Sequence, residues 1–163
     1  MDSRGAITTG MQTADMIVHG YLGDLTDAEI LLRSVPGINH IAWQLGHLIQ
    51  SEHGMIAAVC PDLMPALPAG FAERHAKETS TSDNPQDFLS KAEYLSLAAA
   101  QRQGTLAALA KQTDADFDKP GPESMKDYAP TVGAIFSLIG GHWLMHAGQW
   151  AVLRRKLGRA PLF

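Results

Sequence analysis

The sequence predicts an all-α protein, a four-helix bundle, on three observations. Apolar residues recur at helical spacing in four long stretches, and no stretch alternates apolar with polar residues as a half-buried strand does. Segments rich in Pro and Gly fall where those stretches end. With 163 residues, 45% of them hydrophobic, the chain is expected to form one domain over 1–163, long enough to bury a sizeable core.

The first helix is expected over about residues 10–24, with Ala14, Ile17, Tyr21 and Leu25 on one face. Thr26 and Glu29, three apart, read as a capping box that starts a short helix through Leu31 and Leu32, stopped before Pro36-Gly37. Asn39 is the expected cap of the second helix, over about 40–60 and ended by Pro61. Its stripe of Ile41, Leu45, Leu48, Ile49 and Ile56 is backed by apolar Trp43, Ala57 and Ala58, so it should be buried nearly all round. Residues 61–84 read as a long loop with one helical turn near 71–77. A loop of that length can cross the roughly 30 Å of a 20-residue helix, so the second and third helices can run parallel.

Asn84 as cap, with Pro85 in the first helical position, is the expected start of the third helix. Its apolar face is read as Phe88, Ala92, Leu95, Ala99, Leu106 and Leu109. Residues 112–130, with four Asp, three Pro and a Gly, form a second loop. The fourth helix runs from Thr131 to about Leu157, where Gly158 and Pro161 end it.

Charge argues against a nucleic-acid partner: 13 basic groups face 17 acidic ones, a net of −4, and no basic stripe runs through the chain. The one basic cluster, Arg154, Arg155, Lys156 and Arg159, lies where cations complement the dipole at a helix end. Cys60 is the single cysteine, which excludes an internal disulfide and suits a reducing cytoplasm. The opening residues MDSRGAITTG lack the basic-then-apolar pattern of an export signal. Residues 128–153 carry no Asp, Glu, Lys or Arg, as a membrane span would. They also carry His142, His146, Gln149 and four glycines, an expensive mixture against lipid, so a core helix and no membrane partner are expected.

The anomaly of the fourth helix is that Ile135, Ile139, His142, His146, Gln149 and Leu153 share one stripe, with two histidines at core positions. Side chains four apart on a helix have Cβ atoms about 5 to 6 Å apart, close enough for two imidazoles to meet on one ion. Seven histidines in the chain make such a spacing unsurprising, and core histidines bonded to carbonyls or hydroxyls explain it equally well. A third ligand would have to come from His19, His40, His47, His53, His75 or a carboxylate. His75 lies in a charged loop and is expected to be solvated, and His40 sits at a helix start where exposure is expected. His47 has Trp43, Gly54 and Ala58 on its own face, and the two small residues leave room for an ion or substrate.

The run Asn39-His40-Ile41-Ala42-Trp43-Gln44-Leu45-Gly46-His47-Leu48, followed by Glu52, resembles the second-helix signature of the DinB/YfiT-like metalloproteins. Gly141-His142 through Met145-His146-Ala147-Gly148-Gln149 is similar to their last-helix signature, as is the ending LRRKLGRAPLF. The resemblance implies a bundle with parallel second and third helices, usually a homodimer, and a divalent metal, often zinc or nickel, held by His47, His142 and His146. Three imidazoles without a fourth protein ligand describe a catalytic site, open to water or substrate. The leading expectation is a metal-dependent enzyme acting on a small molecule, a thiol-dependent S-transferase or related isomerase using a low-molecular-weight thiol. The alternatives are a metal-dependent hydrolase with Glu52 as general base, and a non-catalytic metal or small-ligand binding module.

Overall fold

A computed structural model describes residues 2–162 of the chain. Its helices are α1 (Ser3–Leu22), α2 (Ile41–Ala57), α3 (Phe71–Arg74), α4 (Lys91–Lys111), α5 (Asp114–Phe117) and α6 (Val132–Lys156). The four long ones make the bundle, while α3 and α5 are single turns in the two long connections. Among the described residues no strand forms, and no helix is long and apolar enough to cross a membrane.

Several helix starts differ from expectation. α1 begins seven residues before its apolar period does, since Asp2 accepts the Gly5 amide at 2.7 Å. Thr26 and Glu29 do cap each other, around a 3-10 turn at Glu29–Leu31. α2 is capped by His40 rather than Asn39: the His40 Nδ1 accepts the Trp43 amide at 3.1 Å, so its Nε2–H donates to the Ser82 carbonyl. His40 is therefore buried, not exposed, and its ring meets Phe88 edge-on at 4.4 Å. Asn84 and Pro85 start only a 3-10 turn, because Phe88 then turns extended to bury its ring. α4 starts six residues later than Pro85, at a capping box of Ser90 and Glu93.

Side-chain pairs fix the topology. Moving along α2 and its C-terminal extension, Gly46 lies against His75, which bonds Tyr94 at the start of α4; Glu52 meets Thr105; Cys60 meets Gln112. Both helices advance together, so α2 and α4 run parallel across the 33-residue connection between Ala57 and Lys91. α1 and α6 are parallel too, with Gly10 on Gly140 and Tyr21 beside Arg154. Gln44 meets Trp150 while Glu52 meets Trp143, which makes α2 and α6 antiparallel.

The connection between α2 and α4 is pinned by His75. A Cβ on Gly46 would sit 2.0 Å from the His75 ring, so only glycine lets that imidazole lie on α2. Its Nδ1–H donates to the Phe71 carbonyl at 2.9 Å, and its Nε2 accepts the Tyr94 hydroxyl at 2.7 Å. The expected solvated loop histidine is thus 2% exposed.

The inward face of α4 is the predicted one only in part, with Leu109 buried and Leu95 and Leu106 half-buried against the core. Ala92 and Ala99 are exposed, whereas Tyr94, Gln101, Arg102, Thr105, Ala108 and Leu109 are buried. That face is polar because it answers polar residues of α2. Glu52, 1% exposed, accepts the Thr105 hydroxyl at 2.7 Å and the Trp143 indole N–H at 2.8 Å, and it lies 3.3 Å from Arg102. Arg102 in turn lies 3.3 Å from Asp15. All four long helices meet at this carboxyl.

Replacing Glu52 with Ala leaves two donors and the Arg102 charge buried without their acceptor, at an expected cost of about 3 to 5 kcal/mol. Glu52→Gln, which keeps one oxygen, should cost less. Urea midpoints for both variants check this, and a change below about 1 kcal/mol for the Ala variant would remove Glu52 from this role.

Candidate metal centre

Antiparallel packing of α2 on α6 sets His47 opposite the one-turn pair His142 and His146. The three ring centroids form a near-equilateral triangle with sides of 5.1, 5.2 and 5.5 Å. One ligating nitrogen from each lies within 4.8 Å of the other two. Nitrogens bound tetrahedrally at 2.0 to 2.1 Å sit about 3.4 Å apart, so the donors converge to within about 1.4 Å of a bonded spacing.

Three other histidines show what a satisfied imidazole looks like here. His40 and His75 each use both ring nitrogens, and His53 meets the Gln101 side chain at 3.0 Å. Among the described residues, the rings of His47 and His142 have no hydrogen-bond partner at all. His47 is held by stacking instead, parallel to the Trp43 indole at 5.2 Å. Trp43 is itself anchored through its indole N–H to the Ala76 carbonyl and the Thr79 hydroxyl.

His146 is positioned by Gln44, which the sequence reading passed over. The Gln44 amide oxygen accepts the Trp150 indole N–H at 2.7 Å, and its amide nitrogen donates to the Asn39 carbonyl at 2.6 Å and to Gln149 at 3.0 Å. An indole can only donate and a carbonyl only accept, so the amide cannot be flipped. The His146 Nδ1, 3.1 Å from that same oxygen, must then carry the proton and donate it. Nε2 is left as the lone-pair nitrogen, the tautomer a metal ligand needs. The available signal was a Gln in an otherwise apolar run of α2.

All three rings are pushed toward the neutral form, first by burial. Repulsion between them adds to it for the last two, and His142 and His146 each fall to about 4. At neutral pH the cluster therefore offers lone pairs rather than charges. A cavity of about 570 Å³ opens beside His47 and His142. Glu52 is not among its lining residues, and both its oxygens point to Thr105, Trp143 and Arg102. The structure thus groups three of the four residues singled out above and sets Glu52 apart.

A family model for the DinB superfamily matches residues 12–150. The chain belongs to the DinB superfamily. Among solved structures it is similar to a conserved protein from Enterococcus faecalis, with 17% identity and a TM-score of 0.70 over 98% of this chain and 99% of that one. At that identity the likeness speaks for the fold alone. No curated protein sequence matches. DinB superfamily membership and the three-histidine cluster are together compatible with a metal site.

Burial has a consequence for acid stability. In the unfolded chain these histidines take up protons near pH 6.5, whereas native His75, His142 and His146 refuse them until about 4. The native state binds fewer protons in that window, so stability falls as pH drops from about 6.5 toward 4. Urea midpoints of metal-free protein should decline through that range and decline less steeply in His142→Asn. A flat profile from pH 7 to 4.5 would contradict the burial argument.

Proposed function

We propose that this DinB superfamily member is a metal-dependent enzyme, a thiol S-transferase or related isomerase, in which His47, His142 and His146 hold one divalent ion, zinc or nickel. One observation carries the reading: three convergent imidazoles are pushed toward the neutral form, and the two without a hydrogen-bond partner among the described residues, His47 and His142, border an open cavity rather than a fourth protein ligand. An ion bound there supplies Lewis acidity and favours the thiolate of a low-molecular-weight thiol over the thiol.

The chain's own residues then have separable tasks. Gln44 keeps the His146 proton on Nδ1, Trp43 holds the plane of His47, and the cavity admits the second reactant beside them. In the transfer, the thiolate sulfur forms a bond to an electrophilic carbon, the leaving group departs with its electron pair, and the thiol proton passes to solvent. For Glu52 we propose a structural role, because its oxygens are engaged and it does not face the cavity. The hydrolase reading loses its general base accordingly.

Protein purified without added metal is expected to hold close to one transition-metal equivalent per chain. His47→Ala, His142→Ala and His146→Ala should abolish retention, Gln44→Met should weaken it about 10- to 100-fold, and His53→Ala should leave it unchanged. Thiol consumption with an electrophile should stop on chelation and return with one equivalent of metal. Less than a tenth of an equivalent after reconstitution sinks the metal site; full metal without thiol consumption favours the binding-module reading.

We also propose a homodimer, on the surface that α6 leaves exposed. Trp150 is covered within the chain, at 1% exposed. The exposed stripe of α6 instead runs Ser137, Gly141, Met145, Gly148 and Val152, five solvent-facing positions without a charge. A lone helix facing water usually carries charges there. Light scattering should give twice the 17.5 kDa of one chain, and Gly148→Lys should halve it; a wild-type mass of one chain removes the proposal.

A further inference from the structure

The cavity beside His47 and His142 has a composition that speaks to what enters it. Met55, Met125, Met145, Leu138 and the Tyr128 ring make most of its wall, and none of its lining residues carries Asp, Glu, Lys or Arg. Three of the chain's seven methionines stand around this one space. Methionine is flexible and polarizable, and a wall built of it repacks around apolar ligands of differing shape. A charged ligand would shed water there and find no counter-charge, which is unfavourable. The polar side chains, His47, His142 and Ser51, lie with the metal cluster or one turn from it on α2. On its other flank His47 lines a second cavity of about 450 Å³ whose wall includes Gln50 and Lys77, so a polar reactant has its own approach to the same imidazole.

Gly54 adds an independent observation. It lies inside α2, where glycine weakens a helix, and a Cβ built on it would meet nothing within 4 Å. Unlike Gly46, it is not required by a neighbouring side chain. What a larger residue at this position would occupy is the cavity.

We propose that this cavity is the binding site of an uncharged, apolar small molecule, aromatic or alkyl, whose reach into the site is set by Gly54. In the reaction proposed above it is the electrophilic acceptor, and that identification alone rests on the transferase reading. The occupant is a free molecule of cavity size, about 570 Å³ being in the range of ligand pockets. Met125 and Tyr128 come from the connection before α6, so the pocket's outer wall belongs to a segment outside the four-helix frame.

The test compares two dyes on one ring system, neutral N-phenyl-1-naphthylamine and its 8-sulfonate, by fluorescence titration of metal-free and metal-loaded protein. The neutral dye should bind once per chain in both forms, and the sulfonate at least tenfold more weakly. Gly54→Leu should keep the helical circular dichroism and melting temperature of wild type while weakening the neutral dye at least tenfold. Met125→Gln, in the connection before α6 and outside its exposed stripe, should weaken it as well and serves if Gly54→Leu fails to fold. Equal binding of both dyes, or neutral-dye binding unchanged in a folded Gly54→Leu protein, overturns the proposal. So does an absence of dye binding to wild type together with a change of mass in Gly54→Leu, which would assign the cavity to a second copy of the chain. Dye binding does not depend on catalysis, so bound dye without thiol transfer would refute the transferase reading and leave the apolar site standing.

Discussion

The Glu52 carboxyl is the point on which the arrangement of the bundle turns. Thr105 of α4 and Trp143 of α6 donate to it, and Arg102 links it to Asp15 of α1. Burial pushes this carboxyl above its ordinary range, against the pull of Arg102 and the two donors. Two of the Arg102 nitrogens, Nε and Nη1, are buried without a protein partner. Such a network is a weak source of net stability, because desolvation offsets much of the attraction. What it does supply is register. A purely apolar seam would tolerate sliding by a turn, whereas these donors from α4 and α6 meet one acceptor on α2 at one height, with α1 tied in through Arg102 and Asp15.

That register places the imidazoles. Glu52 and His47 lie five residues apart on α2, and Trp143 follows His142 directly on α6. With the Trp143 indole fixed on Glu52, the neighbouring His142 side chain faces the other side of the helix pair, toward His47. One turn further, Trp150 and His146 share the Gln44 oxygen, so the same two helices are tied again on the far side of the cluster. The histidines are bracketed by two indole hydrogen bonds, which keep them converged and neutral while nothing in the protein occupies the nitrogens of two of them. Fold and site are thus linked through the same few polar contacts between α2 and α6.

Much of this was legible beforehand, and the failures share a cause. Helix count, the long helices themselves and the anomaly of two histidines in a core stripe follow from apolar periodicity, which depends on near neighbours in sequence. The polar part of the α4 inward face is the reverse case: its buried positions hold Gln101, Arg102 and Thr105, which a hydrophobic pattern discards. His40 and His75 were misplaced for the same reason. Their burial depends on Phe88, Tyr94 and Gly46, partners 19 to 48 residues away that supply contacts no local rule can see.

By itself, then, the sequence determined an all-α bundle and a histidine pair on the last helix at chelating spacing, since both are consequences of 3.6 residues per turn. It also carried the motifs by which the chain resembles its superfamily. Only the tertiary structure decided which third imidazole meets that pair, that Gln44 sets the tautomer of His146, and that Glu52 faces the bundle core rather than the cavity. Those outcomes depend on the height and rotation at which α2 packs against α6 and α4. Buried hydrogen bonds between residues 53 to 106 positions apart set them, and such bonds have no periodicity to read.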